Sequence, residues 1–138
     1  MADKVEFELV SPEKLLKSQP VDMVVVPGSE GDFGVLAGHS PMISTVRPGV
    51  IDVYEGDRVV DRVFVAGGFA EVTEARCTVL AEEAVALTDL DRSTVEKQIK
   101  DLSEDLDDSK SDAERAVAES KLAVARAKLD ALSQSSAH

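Results

Sequence analysis

Apolar and polar residues alternate one by one at the start of the chain, where Val5, Phe7 and Leu9 are interleaved with Glu6 and Glu8. A period of two puts successive side chains on opposite faces of a strand, one buried and one wet. The same texture, or short apolar runs closed by turn residues, continues to about residue 87. Residues 21–26 form such a run and stop at Pro27 and Gly28. Residues 50–54 and 59–65 flank Glu55, Gly56 and Asp57, which predicts a hairpin. Gly67 and Gly68 break the next pair, and residues 69–72 turn through 73–76 into 77–81 as a further hairpin. Many short strands at close spacing predict an all-β sandwich or barrel for this part of the chain.

Beyond Thr88 glycine and proline vanish and the period becomes helical. Val95, Ile99, Leu102 and Leu106 form one apolar stripe, and Ser93 with Glu96 has the spacing of a capping box to open that helix. The stripe breaks at residues 107–110, and Ser111 with Glu114 repeats the capping spacing, so a second helix is predicted to about Leu132, before a polar tail. The pair is a helical hairpin. The second helix carries two apolar seams. Ala118, Leu122, Ala125, Leu129 and Leu132 form one; Ala113, Val117, Ser120, Val124, Ala127 and Ala131 form the other. At 3.6 residues per turn their centres lie about 140° apart, so one can meet the first helix and the other a different surface. The second seam is mostly alanine, which buries little area per residue and favours weak docking and a hairpin able to move. The organisation expected is therefore α+β, with residues 1–88 as the β unit and 89–138 as the helical one.

Charge narrows the function classes. The chain of 138 residues has 27 acidic and 15 basic side chains, a net charge of −12, which repels nucleic acid and anionic lipid headgroups over most of the surface. It has no tryptophan and one tyrosine, so base-stacking platforms are scarce. No apolar run approaches the roughly 18 residues of a spanning helix. The charged N-terminus leaves no room for a secretory signal, which predicts a cytoplasmic protein if the start is native. Cys77, alone among Thr78, Val79 and Leu80, reads as a small buried hydrophobe.

The richest candidate for chemistry is "VVVPGSEGDFGVLAGHSP", residues 24–41. Clustered glycines suggest a phosphate cradle, but no Gly-Lys-Ser/Thr follows, and Glu30 and Asp32 put negative charge where phosphates would sit. Successive tight turns explain the glycines better. His39 and Ser40 are a base beside a nucleophile, yet adjacent side chains diverge and no third orienting group is apparent, so a hydrolase reading fails. The other histidine, His138, is terminal, and with Cys77 it cannot complete a zinc site. Glu82 with Glu83 and Asp107 with Asp108 read as solvated surface. No catalytic residue, metal ligand set or cofactor is expected.

The strings "VVVPGSEGDFGVLAGHSPMIS", "RPGVI", "VFVAGGFAEV" and "TVLAEEAV" occur in the order found in the epsilon subunit of F-type ATP synthases, called delta in mitochondria, and residues 5–90 resemble that family densely. The glycine-rich stretch is similar to the family pattern Ser/Asp-Glu-Gly-x-x-Gly-x-x-Pro-Gly-His-x-Pro at Ser29, Glu30, Gly31, Gly34, Gly38, His39 and Pro41, with Ala37 in place of the first proline. The resemblance implies a ten-stranded β-sandwich bound to the gamma subunit, with a loop carrying Glu30, Asp32 and His39 on the ring of membrane c subunits. It implies a non-catalytic rotor component that helps transmit torque from ring to gamma, on the cytoplasmic face of a bacterial inner membrane. The missing transit peptide favours a bacterial epsilon over a mitochondrial delta.

In some relatives the hairpin also inhibits ATP hydrolysis, or binds ATP through an Ile/Leu-Asp-x-x-Arg-Ala motif. That motif is degenerate here. Aligned on Asp89 it keeps Arg92, with Thr88 and Ser93 in the apolar and alanine positions; aligned on Asp91 it loses the arginine. Weak or absent ATP binding is expected. Arg115, Lys121, Arg126 and Lys128 are candidate inhibitory contacts with the alpha and beta subunits, although Glu119 and Asp130, four residues after the two arginines, also fit ordinary surface pairs. The competing reading is a free-standing ATP-sensing module of the same fold, which ATP-dependent compaction of the lone chain would reveal.

Overall fold

The computed structural model describes residues 3–136; His138 lies outside them. The chain divides into two compact units at the Ala86/Leu87 junction.

The first unit is a ten-stranded sheet: β1 (Val5–Val10), β2 (Leu15–Val21), β3 (Met23–Gly28), β4 (Gly31–Val35), β5 (Met42–Val46), β6 (Gly49–Glu55), β7 (Arg58–Val65), β8 (Gly68–Val72), β9 (Arg76–Ala81) and β10 (Ala84–Ala86). The ladder runs β10-β7-β6-β3-β5-β8-β9-β1-β2, with β4 added beside β3. Strands β3 and β5 pair only at Gly28↔Val46, and there the sheet turns the corner between the two layers of a sandwich. Val46 also pairs with Gly68. Both glycines are required: a Cβ on Gly28 would stand 2.7 Å from the Gly31 carbonyl oxygen, and one on Gly68 would stand 1.9 Å from that of Leu80, with φ at +141°. Lys17 of β2 and Asp61 of β7 form a 2.5 Å ion pair, so the two arms of the ladder approach each other.

The alternation is what fills the sandwich. Val5, Phe7 and Leu9 are buried while Glu6, Glu8 and Val10 are half-exposed. With Val24, Val26, Val35, Ile51, Val53, Val72, Cys77 and Val79 they form one core. Each large side chain there contributes about 1.5–3 kcal/mol of burial. One pairing departs from an antiparallel sandwich: β1 lies parallel to β9, with Glu6↔Arg76 in register.

Two strands differ from the pattern read in the sequence. The apolar run 21–26 is split, Val21 closing β2 and Met23 opening β3. The glycine-rich stretch is not only turns, for residues 31–35 pair with β3 as strand β4.

The second unit opens with a 3₁₀ turn, Leu87–Asp89, and holds α1 (Arg92–Asp107) and α2 (Asp112–Ser136), packed as a hairpin. Asp91, rather than Ser93, caps α1: its carboxylate accepts from the Thr94 amide at 3.1 Å, the Thr94 hydroxyl at 2.6 Å and the Ser93 hydroxyl at 2.9 Å. A carboxylate satisfies more of the first turn's donors than one hydroxyl, so the helix begins earlier. Ser111 accepts from the Glu114 amide and Glu114 accepts from the Lys110 amide, the reciprocal arrangement at the start of α2. Of the two seams, Ala118, Leu122 and Ala125 of the first are buried, while the second runs from exposed Ala113, Val117 and Ser120 through half-buried Val124 and Ala127 to buried Ala131.

Candidate interaction surfaces

The period that buries one face of β8 and β9 fixes what the other face shows. Ala70, Val72, Cys77 and Val79 point inward, so Phe69 and Leu80 point out, paired across the ladder and 56% and 51% exposed. Leu80 pairs with Val10 of β1, and Val10 with Leu15 of β2, which is also exposed. One strand over, Ile43 of β5 is 74% exposed. An apolar row therefore crosses four strands of one sandwich layer on its outer face. Scattered exposed apolar residues are ordinary, whereas neighbouring ones form a patch suited to contact with another molecule. Sequence reasoning overlooked this row, because it read residues 69–72 and 77–81 as the arms of a hairpin without assigning their faces.

The acidic residues of the glycine-rich stretch form a different feature. Ser29 and Glu30 are the exposed turn of the β3–β4 hairpin. Arg47 braces that hairpin: its guanidinium donates to the Gly28 carbonyl and to Asp32 Oδ1, each at 2.6 Å, and its own amide donates to the Pro27 carbonyl at 2.9 Å. Ser29 N donates to Thr45 O at 2.9 Å. Asp32 thus carries an internal counter-charge that the sequence did not disclose. His39 is not beside these groups. It follows Val35, which pairs with Val24 at the far end of the hairpin, about 14 Å of strand from the Glu30 turn. There the Gly38 amide donates to the Glu74 carbonyl at 2.7 Å, tying the loop to the β8–β9 turn, and His39 Nδ1 donates to the Ser40 carbonyl at 2.7 Å. That bond is to the Ser40 main chain, and among the described residues no hydrogen bond joins the His39 ring to the Ser40 hydroxyl.

In the second unit Asp89 lies in the 3₁₀ turn and Arg92 in the first turn of α1, where Arg92 Nη2 donates to Ser133 Oγ of α2 at 3.3 Å. The basic residues of α2 form two stripes. At 100° per residue Arg115 and Arg126 coincide within about 20°, as do Lys121 and Lys128, and the stripes lie about 120–160° apart. Arg115 makes the expected pair with Glu119, at 4.0 Å. Among the described residues no such pair joins Arg126 to Asp130.

In the β unit burial is the leading cause of a shifted titration at Cys77 and Asp52. Burial pushes the Cys77 thiol up to about 12, so it is an inert core residue. Burial also raises the Asp52 carboxyl above its ordinary range, against the opposing pull of Arg62, whose Nε is 3.4 Å away. Asp52 Oδ1 is buried without a hydrogen bond. Among the described residues no group of three metal-ligating side chains occurs, and no helix is long and apolar enough to cross a membrane.

A β-sandwich with an aligned apolar row outside it, followed by an α-helical hairpin, defines the class: a two-unit α+β protein. The chain belongs to the ATP synthase delta/epsilon chain family, whose β-sandwich domain model matches residues 4–87 and whose epsilon C-terminal domain model matches residues 91–138. It is 63% identical to the ATP synthase epsilon chain of Rhodospirillum centenum, over 96% of this chain and 94% of that one. It is 48% identical to the same protein of Maricaulis maris over the full length of both. The fold is similar to a chain in the Euglena gracilis mitochondrial ATP synthase, at TM-score 0.80 and 24% identity, covering all of this chain and 84% of that one. A chain in the Tetrahymena thermophila mitochondrial central stalk and c-ring matches at TM-score 0.66 and 16% identity, covering 95% and 98%.

Proposed function

We propose that the chain is a non-catalytic rotor subunit of a proton-translocating F-type ATP synthase, fixing gamma to the c-ring on the cytoplasmic face of a bacterial inner membrane. The observation that carries this reading is the register-aligned apolar row of Leu15, Leu80 and Phe69 with Ile43, a surface suited to permanent burial against another subunit. Gamma is its proposed partner. The Glu30 turn, stiffened by Arg47 through Gly28 and Asp32, is a preformed acidic projection suited to the polar loops of the ring, with His39 as a second, separate contact. Charge there fixes register more than it supplies affinity.

The proposal extends to the hairpin as a modulator of hydrolysis, with Arg115 and Arg126 forming one basic stripe toward alpha and beta and Lys121 and Lys128 another. Nucleotide sensing has less support. Arg92, the surviving cation of the degenerate motif, is engaged by Ser133.

The test is co-purification. Phe69→Lys with Leu80→Glu changes only exposed positions and sets opposite charges in one cross-strand pair, so the variant is expected to fold yet lose gamma and coupled synthesis. Full recovery of gamma with the double variant sinks the reading. Cysteines at Glu30 and at His39 should each crosslink to the ring, and deletion of residues 89–138 should raise ATP hydrolysis.

A further inference from the structure

The closed end of the helical hairpin holds an open groove of about 550 Å³. Leu102 of α1 with Val117 and Ala118 of α2 form its apolar floor, and Asp105, Asp108 and Glu114 stand at its rim. Val117 is 54% exposed, a branched apolar side chain on a helix with nothing over it in this chain's second unit. The volume lies within the range of about 300–1,000 Å³ in which a few side chains of a ligand can be enclosed.

Charge selects the occupant. Residues 101–114 contain seven carboxylates and one lysine, six net negative charges out of the chain's twelve in a tenth of its length. Among the described residues neither Asp105 nor Asp108 has a cation partner, and Lys121, which also lines the groove, sets a single ammonium against three rim carboxylates. Glu114 is held at the rim by its bond from the Lys110 amide. Anionic lipid, nucleic acid and nucleotides are repelled by such a rim, and so is a second copy of this acidic tip. A cationic peptide is attracted.

We propose that this groove docks a basic amphipathic helix, one that sets two apolar side chains spaced three or four residues apart on Leu102, Val117 and Ala118 and flanks them with lysine or arginine toward Asp105 and Asp108. This is helix-in-groove recognition with the acidic component supplied by the hairpin. It goes beyond the rotor reading and does not depend on it, since the groove lies wholly in the second unit.

The test uses the full chain and a synthetic helix-forming peptide of leucine at positions i, i+3 and i+7 on a lysine and alanine background, titrated in 0.1 M salt. The expected result is saturable binding with amide shifts confined to residues 101–121. Asp105→Asn with Asp108→Asn should weaken it about tenfold, because two charge contacts are lost while the floor stays. Val117→Gln should weaken it several-fold with the charge unchanged. Glu13→Gln with Asp57→Asn, which removes the same charge from the β unit, should leave the affinity as it was. Equal weakening by the two charge pairs, or amide shifts spread over the β unit, would show unspecific attraction to an acidic protein and overturn the proposal. Indifference to Val117→Gln would overturn it as well. All substituted positions are exposed, and circular dichroism of each variant confirms the fold before titration.

Discussion

Arg47 and Asp32 meet at 2.6 Å across the base of the β3–β4 turn, and the other arm of the same guanidinium holds the Gly28 carbonyl. One side chain thus ties the corner of the sandwich to the projection that carries Glu30. Arg47→Ala is expected to cost about 1 kcal/mol in urea unfolding and to speed amide exchange at residues 29–32, because a carbonyl loses its donor as well as an exposed pair its cation. Asp32→Asn removes only the exposed pair and should cost less than about 0.5 kcal/mol. Equal losses would place the clamp's value in the ion pair rather than in the carbonyl bond.

Gly68 is the position at which a methyl group is least tolerable. The Leu80 carbonyl stands where its Cβ would go, and the backbone is in a region closed to other residues. Gly68→Ala should destabilise the β unit by about 3 kcal/mol or more, measured by thermal melting. Gly31→Ala is the comparison, with a similar φ of +137° but open space around it, and should cost markedly less.

Asp52 gives stability an unusual dependence on pH. Its folded carboxyl titrates above its unfolded value because burial disfavours the charge. A raised carboxyl binds its proton more tightly in the folded state. The favourable contribution is therefore present below the unfolded value of about 3.9 and lost as pH rises through the folded one. Asp52→Asn cannot ionise, so its stability relative to the parent should improve between pH 3 and pH 7, by less than about 1 kcal/mol given the half-exposed site and the loss of Arg62 as a partner. Parallel stability curves across that range would refute it.

Asp91 behaves in the opposite sense. Hydrogen bonds from the Thr94 side chain, the Ser93 hydroxyl and the Thr94 amide hold its carboxyl below the ordinary range. Its contribution is present above the unfolded value and disappears as pH falls through the folded one. Asp91→Ala should lower the helical melting temperature at pH 7 and flatten its fall in acid. Asp91→Asn keeps the cap, so it should remain near the parent at pH 7 while losing the acid response.

Legibility followed the strength of local patterns. The alternation at residues 5–9 and the paired runs around Gly56 and residues 73–76 specified β1, β6–β7 and β8–β9, and the four-three-four stripe from Val95 specified α1. Strand β2 escaped notice because Lys17, Ser18, Gln19 and Pro20 have no strand signature, and Pro20 is tolerated only because β2 ends the ladder. Strand β4 escaped because glycines on both sides of Asp32 and Phe33 look like turns, whereas pairing with β3 decides their conformation. The grouping of Glu30, Asp32 and His39 came from the family resemblance, which has no view of distance, and the length of strand β4 separates Glu30 from His39. The Arg47 brace joins residues 15 apart through tertiary structure, for which no local signal exists.

The parallel pairing of β1 with β9 has a temporal consequence. Glu6 finds its partner Arg76 only after 70 more residues have been made. On a ribosome the first hairpin, β1 with β2, emerges early and waits with one strand edge open while the rest of the sandwich is synthesised. Closing so long a loop is the slow kind of step in folding, and an unpaired edge invites other chains in the interval. Lys17 on β2 and the glutamates at positions 6 and 8 of β1 keep the waiting hairpin charged and soluble until β9 arrives.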